Sequence, residues 1–349
     1  MGGFGKKVFV AISGGVDSSA AAGILLGRGY EVSGIFMLTC DESHTAENRA
    51  REVAATLGIK LHVLDVRKEF QKVLDYFCGE YTQGRTPNPC VVCNRLIKFG
   101  KLWRFAQDNE GEYFATGHYA RIVEIPDGWG LYEAPTEKDQ SYALAMIDRT
   151  VLAHLILPMG DCDKEQARQL SRQFGLRTAE HRESQEICFI PDDDYAAVLE
   201  KFVPDLAGDG DIVDSSRRVL GRHRGISRYT IGQRRGLGIA MGKPYYVVRI
   251  DAKSNTLILG PKEELMHKKL FAAGANWLIE PPDGPLRAKV KIRYNDKGSA
   301  GVVHRRGEQI EVDFERCVSA ITPGQLAVFY IDDGGWRVAG GAWIERWAD

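Results

Sequence analysis

The 349-residue chain has no long apolar run. None approaches the roughly 18 residues that a membrane-spanning helix needs. The first apolar stretch, Val8 to Ile12, is shorter than the hydrophobic core of a secretory signal and leads directly into a glycine turn. A cytoplasmic location without a membrane partner is the expectation. Net charge is almost absent, at −1, so only the distribution of basic residues can speak for nucleic acid. The Walker spacing Gly-x-x-x-x-Gly-Lys-Ser/Thr is missing, which disfavours ordinary γ-phosphoryl transfer. Seven cysteines in a chain of this length do not make a disulfide-stapled scaffold. The single Cys-x-x-Cys, at Cys90 and Cys93, has no second such pair and no His-x-x-x-His to complete a four-ligand zinc site. Internal repeats and low-complexity segments are also lacking.

What is present fits a globular protein of two or three domains, with 44% hydrophobic and 27% charged residues. Runs 7–12, 32–37 and 61–66 read as short buried strands separated by helical stretches at 18–28 and 47–57. Further helices are expected at 67–81 and 95–109, then a strand at 113–116. This alternation predicts an α/β fold: a doubly wound parallel-sheet nucleotide-binding domain over 1–205. A helical insertion near 161–182 opens on a capping box, Asp163-Lys-Glu-Gln166. Beyond Pro204 glycines recur and short β-rich runs take over. Two small β-rich domains follow, a central one over 206–270 and a C-terminal β-barrel over 271–349.

Ser13-Gly14-Gly15-Val16-Asp17-Ser18-Ser19 joins the first strand to the first helix. Adjacent glycines let the chain turn tightly and approach a polyphosphate, while the serines and the first helical N–H groups supply donors. Asn88-Pro89-Cys90-Val91-Val92-Cys93-Asn94 sets two thiols at the mouth of a helix, with Arg85, Arg95 and Lys98 nearby. Such surroundings stabilise a thiolate. Taken alone the pair reads equally as half a zinc site, a redox pair or two helix-start cysteines. Between 215 and 250 lie nine Lys and Arg residues, Arg234 and Arg235 among them, and no Asp or Glu. Tyr229 and Tyr245 are interleaved and could stack on bases. A second basic feature, Arg287-Ala-Lys-Val-Lys-Ile-Arg293, places Arg287, Lys289, Lys291 and Arg293 on one face of a strand, as a phosphate ladder.

Ser-Gly-Gly-x-Asp-Ser resembles the pyrophosphatase-type loop, or PP-loop, of enzymes that adenylate a carbonyl oxygen. Together with 86–99, Thr116-Gly-His-Tyr-Ala120, Lys138-Asp-Gln-Ser-Tyr142, Ser184-Gln-Glu-Ile-Cys-Phe189, 229–237 and Arg293-Tyr-Asn295, the chain resembles the tRNA-specific 2-thiouridylases nearly end to end. The resemblance implies an ATP-dependent sulfurtransferase acting on the wobble uridine of tRNA. It places ATP against Ala11, Ile12, Ser13, Gly14, Gly15, Val16, Asp17 and Ser18, with Met37 beside the adenine and Gly117 lining the pocket. Asp17 is a candidate for orienting Mg²⁺, or a helix-start cap. Asn88, Pro89 and Cys90 would lie against the target base. Lys138, Asp139, Gln140, Arg293 and Tyr294 would contact RNA, and His118 and Gln325 are also placed there. Cys188 corresponds to the residue that receives persulfide sulfur, and Cys93 to the nucleophile that helps release it.

Many members carry an aspartate where this chain has Cys90. Its proton-transferring role is therefore open here, and Cys90, Cys93 and Cys188 together could hold an iron–sulfur cluster, a 4Fe-4S cluster with one iron left for incoming sulfide. Two sulfur mechanisms follow, a Cys188 persulfide with Cys93 as partner, and a three-cysteine cluster. Either needs a sulfur-donor protein, a desulfurase or a sulfur relay. Cys40, Cys78, Cys162 and Cys317 read as packing residues. Trp277, Trp336, Trp343 and Trp347 read as barrel-core or surface-edge residues. Rival readings are a PP-loop ligase or amidotransferase acting on a small substrate, and a non-catalytic RNA-binding protein.

Overall fold

A computed structural model describes residues 4–180, 187–190, 195–203, 208–239 and 242–349. Motif positions 184–186, the acidic turn at 191–194 and the boundary expected near 205 lie outside the described residues. Seven strands occupy the first part of the chain: β1 (Lys7–Ala11), β2 (Glu31–Leu38), β3 (Lys60–Asp65), β4 (Tyr113–Ala115), β5 (Arg121–Ile125), β6 (Gly128–Tyr132) and β7 (Leu155–Ile156). Five of them form a parallel sheet in the order β3-β2-β1-β4-β7. Val8, Phe9 and Val10 of β1 are all buried, as expected of a strand covered on both faces. Alternate side chains then serve two cores. Val8 and Val10 pack with Ala22 and Leu25 of α1 (Val16–Gly27) and with Ala50 and Val53 of α2 (His44–Leu57). Phe9 points to the other face, with Val73 of α3 (Arg67–Thr82) and with Ile97 and Trp103.

Helix 89–108 runs without a break through α4 (Pro89–Cys93), a π-wound segment Asn94–Leu102 and α5 (Trp103–Asp108). Pro89 sits in the first turn, where a missing N–H costs nothing. Gly100 lies inside the wide turn, where a Cβ would stand 2.9 Å from the carbonyl oxygen of Arg95, five residues back. The short helix α6 (Ser141–Leu144) follows the β5–β6 hairpin. In the insertion, α7 (Lys164–Gln173) opens on the expected capping box: the Gln166 N–H donates to Asp163 at 2.8 Å, and the Asp163 N–H donates to Gln166 at 2.7 Å. Its far end reaches Phe174, whose ring fills the space a side chain at Gly23 of α1 would need. Val198 and Leu199 of α8 (Tyr195–Phe202) pack on Phe77 and Tyr81 of α3.

The central sheet has the order β10-β11-β8-β9, from β8 (Asp209–Asp214), β9 (Val219–Arg224), β10 (Tyr246–Asp251) and β11 (Thr256–Gly260). It has its own core of Ile212, Ile226, Tyr229, Leu237, Val247, Leu257 and Leu259. Tyr229 is thus a buried residue and not a base-stacking platform, a correction to the reading from sequence. The remaining strands are β12 (Met266–Trp277), β13 (Leu286–Lys291), β14 (Ser299–Arg306), β15 (Gln309–Ser319), β16 (Leu326–Asp332) and β17 (Trp336–Ala348). They run β12-β15-β14-β13-β16-β17, and pairing of β12 with β17 closes a six-stranded antiparallel barrel. The β5–β6 hairpin leaves the parallel sheet and attaches to β17 through Tyr132 and Arg337. No local pattern in the sequence announces this strap between the first domain and the barrel.

Candidate active site and its RNA-facing rim

The chain order of the parallel sheet reverses between β1 and β4, so the loops after these strands meet beyond their carboxyl ends. Ser13 and Gly117 lie in those loops. Gly117 touches the start of α1 so closely that a Cβ would stand 2.7 Å from the Ser18 nitrogen. Gly14, at φ +77°, has Arg49 and Ala46 of α2 against it, and a side chain there would meet the Ala46 carbonyl oxygen at 2.9 Å. The loop is organised by its own serines. The Ser13 N–H donates to Ser18 Oγ at 3.2 Å, and the Gly15 N–H donates to Ser13 Oγ at 3.3 Å. The hydroxyls of Ser18 and Ser19 donate to the Gly15 carbonyl at 3.1 and 2.7 Å. Gly15 takes the N-cap position in extended backbone without a capping side chain, leaving the first N–H groups of α1 open to an anion. Ile12 and Val16 bury their side chains in the core, so they offer a nucleotide only backbone; Ala11 and Met37 are half-buried at strand ends.

Asp17 is not a helix cap. Its carboxylate accepts from the Tyr119 hydroxyl at 2.6 Å and from Lys164 Nζ at 2.8 and 3.0 Å. The donor-rich loop fits a polyphosphate. A divalent cation at Asp17 would have to displace the Lys164 ammonium of α7.

Cys90 and Cys93 stand three residues apart on α4 and therefore on one helix face. Cys93 is buried; Cys90 and Cys188 remain reachable by water although protein surrounds them on most sides. Phe189 anchors its neighbour Cys188 by standing edge-on to Phe70 and Phe77 of α3, at 5.6 and 5.3 Å between ring centres. This docking brings Cys188 within electrostatic range of both Cys93 and Cys90. Burial, followed by those two thiols, pushes Cys188 up to about 12. Burial likewise raises Cys90 and Cys93, with Lys98 opposing. The thiolate-stabilising surroundings inferred from sequence are thus corrected: burial outweighs the cations. Arg85 is committed to Glu80 at 2.7 Å and to the Ile344 carbonyl. Among the described residues no group of three or more His, Cys, Asp or Glu is placed to hold a metal ion. As positioned, the three thiols do not fit an iron–sulfur cluster. Cys40 and Cys317 are exposed and so are not packing residues; Cys78 and Cys162 are half-buried.

His118 shares a 2.7 Å hydrogen bond with the Thr116 hydroxyl through Nδ1, and its ring lies 5.9 Å from that of Phe99. Burial first, and Lys98 second, hold it well below the ordinary histidine value, so it is a neutral imidazole at physiological pH.

The barrel supports the segment that enters α4. The Thr86 N–H donates to the Pro323 carbonyl at 2.9 Å, and Gln325 Nε2 donates to the carbonyls of Thr86 and Pro87 at 3.2 and 3.1 Å. Gly324, at φ +90°, leaves no room for a side chain against the Thr86 oxygen. Gln325 therefore acts as a buttress under Asn88, Pro89 and Cys90. The Asn88 N–H donates to the Tyr76 hydroxyl at 3.2 Å, and the nearby Tyr142 phenol donates to the Leu326 carbonyl at 2.8 Å. Tyr294, 42% exposed, stands edge-on to Tyr142 with Gln140 and Cys90 beside it. Gln140 also accepts from the Tyr119 N–H at 3.0 Å, and Lys138 is exposed. Arg293 donates to the Ala320 carbonyl at 2.6 Å. Arg234 and Arg235 are exposed and enter no ion pair among the described residues.

The lysine ladder is corrected. Lys289 pairs with Glu133 at 2.7 Å, and Lys291 with Glu133 at 2.8 Å and Asp139 at 3.5 Å. These side chains are only 10–16% exposed. The Lys289 ammonium also sits 4.0 Å over the Trp336 ring. Asp139 accepts from the Ala134 N–H at 2.9 Å and from the Ser141 hydroxyl at 2.8 Å. Its carboxylate is thus turned inward and shapes the 138–140 loop. Only Arg287 and Arg293 of the ladder face solvent.

Three family models tile the chain: a tRNA methyl transferase HUP domain over residues 6–192, a tRNA methyl transferase PRC-barrel domain over 196–261 and an aminomethyltransferase beta-barrel domain over 267–344. The tRNA-specific 2-thiouridylase MnmA of Syntrophotalea carbinolica is 45% identical over 350 residues, covering 97% of this chain and 98% of that one. The chain belongs to the tRNA-specific 2-thiouridylase family. Its relative of the same name from Carboxydothermus hydrogenoformans is 45% identical over 361 residues, covering 98% of each chain. Within this thiouridylase the residues that reasoning from sequence left without a role are Tyr119, Lys164 and Glu133, and it gave Lys289 and Lys291 phosphates as partners in place of carboxylates. Their partners lie far along the chain, beyond the reach of any local pattern. Lys98 stands inside the cysteine motif, yet its sequence context marks it only as one of several nearby cations.

Proposed function

We propose that the chain adenylates the 2-carbonyl oxygen of the wobble uridine of tRNA and replaces that oxygen with sulfur. The observation that carries this reading is the gathering of Cys93 and Cys188, distant in sequence, within electrostatic range of each other. Neither a small-substrate ligase nor a simple RNA binder needs such a pair. Methyl transfer, which appears in the names of two family models, needs neither these thiols nor a pyrophosphatase-type loop.

ATP lies along the Ser13–Ser18 turn, its phosphates on the open N–H groups of α1. The uracil O2 attacks the α-phosphorus, pyrophosphate leaves, and the N3 proton is lost. A weakly electrophilic carbonyl carbon thereby gains an adenylate leaving group. Sulfur reaches Cys188 as a persulfide from a donor protein, and the terminal sulfur anion attacks C2. The C2–S bond forms while the C2–O bond breaks, and AMP departs with the oxygen and the electron pair. The Cys93 thiolate then attacks Cys188 Sγ, which breaks the persulfide bond and leaves 2-thiouridine, N3 regaining its proton. The Cys93–Cys188 disulfide so formed is reduced by an external dithiol. Burial keeps both thiols neutral at rest, which guards them from oxidation until substrate arrives. Asn88, Pro89, Cys90, Gln140 and Tyr294 line the place where the everted base enters, at an unstacking cost of a few kcal/mol.

Mass spectrometry of nucleosides from tRNA incubated with the protein, ATP and a persulfide-donating desulfurase with its cysteine substrate reports the product directly. 2-Thiouridine that disappears with Cys93→Ser and Cys188→Ser is the expected result. Pyrophosphate release independent of RNA would favour the small-substrate ligase. No release with either wild type or Asp17→Ala would favour the binder.

A further inference from the structure

Lys98 is half-buried in the wall of this site and makes no ion pair or hydrogen bond among the described residues. Arg95, the other cation of the cysteine motif, is exposed to solvent, and further cations are occupied: Arg85 by Glu80, Lys101 by Glu69, Lys164 by Asp17, Lys289 and Lys291 by Glu133. A half-buried ammonium without a counter-ion is free to meet an anion that the free protein lacks.

The winding of helix 89–108 sets where that charge points. Five positions separate Cys93 from Lys98. On an α-helix that step carries a side chain about 140° round the axis from its starting face. The π segment that begins at Asn94 closes its turns at i+5 and brings Lys98 back toward the face of Cys93. π turns are uncommon and recur at functional sites. Gly100 permits this one, because the wide turn leaves no room there for a Cβ.

From that position the Lys98 charge is felt at Cys90, Cys93 and Cys188 and also at His118. His118 adjoins Gly117, which abuts the start of α1. Lys98 is therefore within electrostatic reach of the thiols and of the loop that leads to the start of α1. During the reaction two anionic groups meet within that reach: the phosphate esterified to uracil O2, and the sulfur that displaces it. No other cation without a partner is shared by these groups among the described residues. We propose that Lys98 is the electrostatic clamp of the substitution step, holding the phosphate of the adenylated uridine beside the incoming sulfur anion and steadying the charge of departing AMP. This rests on the sulfurtransferase reading above. It adds the residue that overcomes like-charge repulsion between nucleophile and leaving group.

The test uses the full chain, its Cys188 first loaded with persulfide by a desulfurase and cysteine, with an unmodified tRNA transcript and ATP, under single turnover. Lys98→Met should slow 2-thiouridine formation about 100-fold, within the range found when one charge-stabilising donor is removed. Affinity for tRNA, and for ATP by titration, should stay within about twofold of wild type. Lys98→Arg, which restores the charge with different geometry, should recover at least about tenfold over Lys98→Met. Should the methionine variant fail to fold, Lys98→Gln supplies the neutral comparison against Lys98→Arg. A neutral variant within about threefold of wild type overturns the proposal, as does an arginine variant no faster than the neutral one, or a defect confined to the affinity for tRNA. If wild type itself makes no 2-thiouridine, the function proposed for the whole site fails, and that outcome is distinct from failure of the Lys98 assignment.

Discussion

Replacing Lys291 by methionine separates two readings of the basic strand β13. Lys291 bridges Glu133 at 2.8 Å and Asp139 at 3.5 Å, with 10% of its side chain exposed. Removing one partner of a buried ion pair leaves an uncompensated charge and costs roughly 3–5 kcal/mol. Glu133 keeps Lys289 at 2.7 Å, and Asp139 keeps the Ala134 and Ser141 donors. The lower figure, about 3 kcal/mol, is therefore expected. Urea unfolding of the intact chain, followed by tryptophan fluorescence to which Trp336 beneath Lys289 contributes, measures it. A cycle of Lys291→Met, Glu133→Gln and the double variant should be non-additive by about 2 kcal/mol, because the second change removes the charge stranded by the first. The salt dependence of tRNA affinity should keep the wild-type slope. A loss below about 0.5 kcal/mol together with a shallower slope would refute this reasoning, since an exposed lysine bound to phosphate behaves that way.

Arg234 and Arg235, exposed and without ion pairs among the described residues, are expected to act in the opposite manner. Replacing both by alanine should leave stability nearly unchanged and shallow the slope of log affinity against log salt by about 0.7 to 0.9 for each phosphate no longer neutralised; an unchanged slope removes them from the RNA interface. Alkylation of Cys188 by iodoacetamide should rise about tenfold per pH unit through pH 9 and 10, passing the ordinary thiol value near 8.5 without a plateau. The sign follows from burial, which penalises the anion and pushes this thiol up to about 12. A plateau between pH 7 and 8 would mean that the resting site stabilises a thiolate.

The parallel sheet and its glycine turn were legible because their signals are local: buried apolar runs, helical periodicity, and a turn that demands glycine. The meeting of Cys188 with Cys93 was not local. It depends on Phe189 docking against Phe70 and Phe77, and only the family resemblance pointed to it. Alternation along 287–293 correctly put its cations on one face but could not say what covers that face. The covering acids arrive from Glu133 and Asp139, beyond a hairpin that turns at Ile125-Pro126-Asp127-Gly128. Counting cations around Cys90 and Cys93 predicted a stabilised thiolate, whereas the dominant influence is desolvation, which sequence order does not display.

The β5–β6 hairpin couples two units that the linear order of the chain would let one treat as separable. Removing the barrel would expose the β6 edge that now pairs with β17, together with Glu133 and Asp139 stripped of their lysines. A fragment ending before β12 would carry a sticky open edge and two stranded carboxylates. The barrel is consequently part of the first domain's own scaffold, and a displacement at Tyr294 would reach Tyr142 and the segment entering α4 without passing through a free linker.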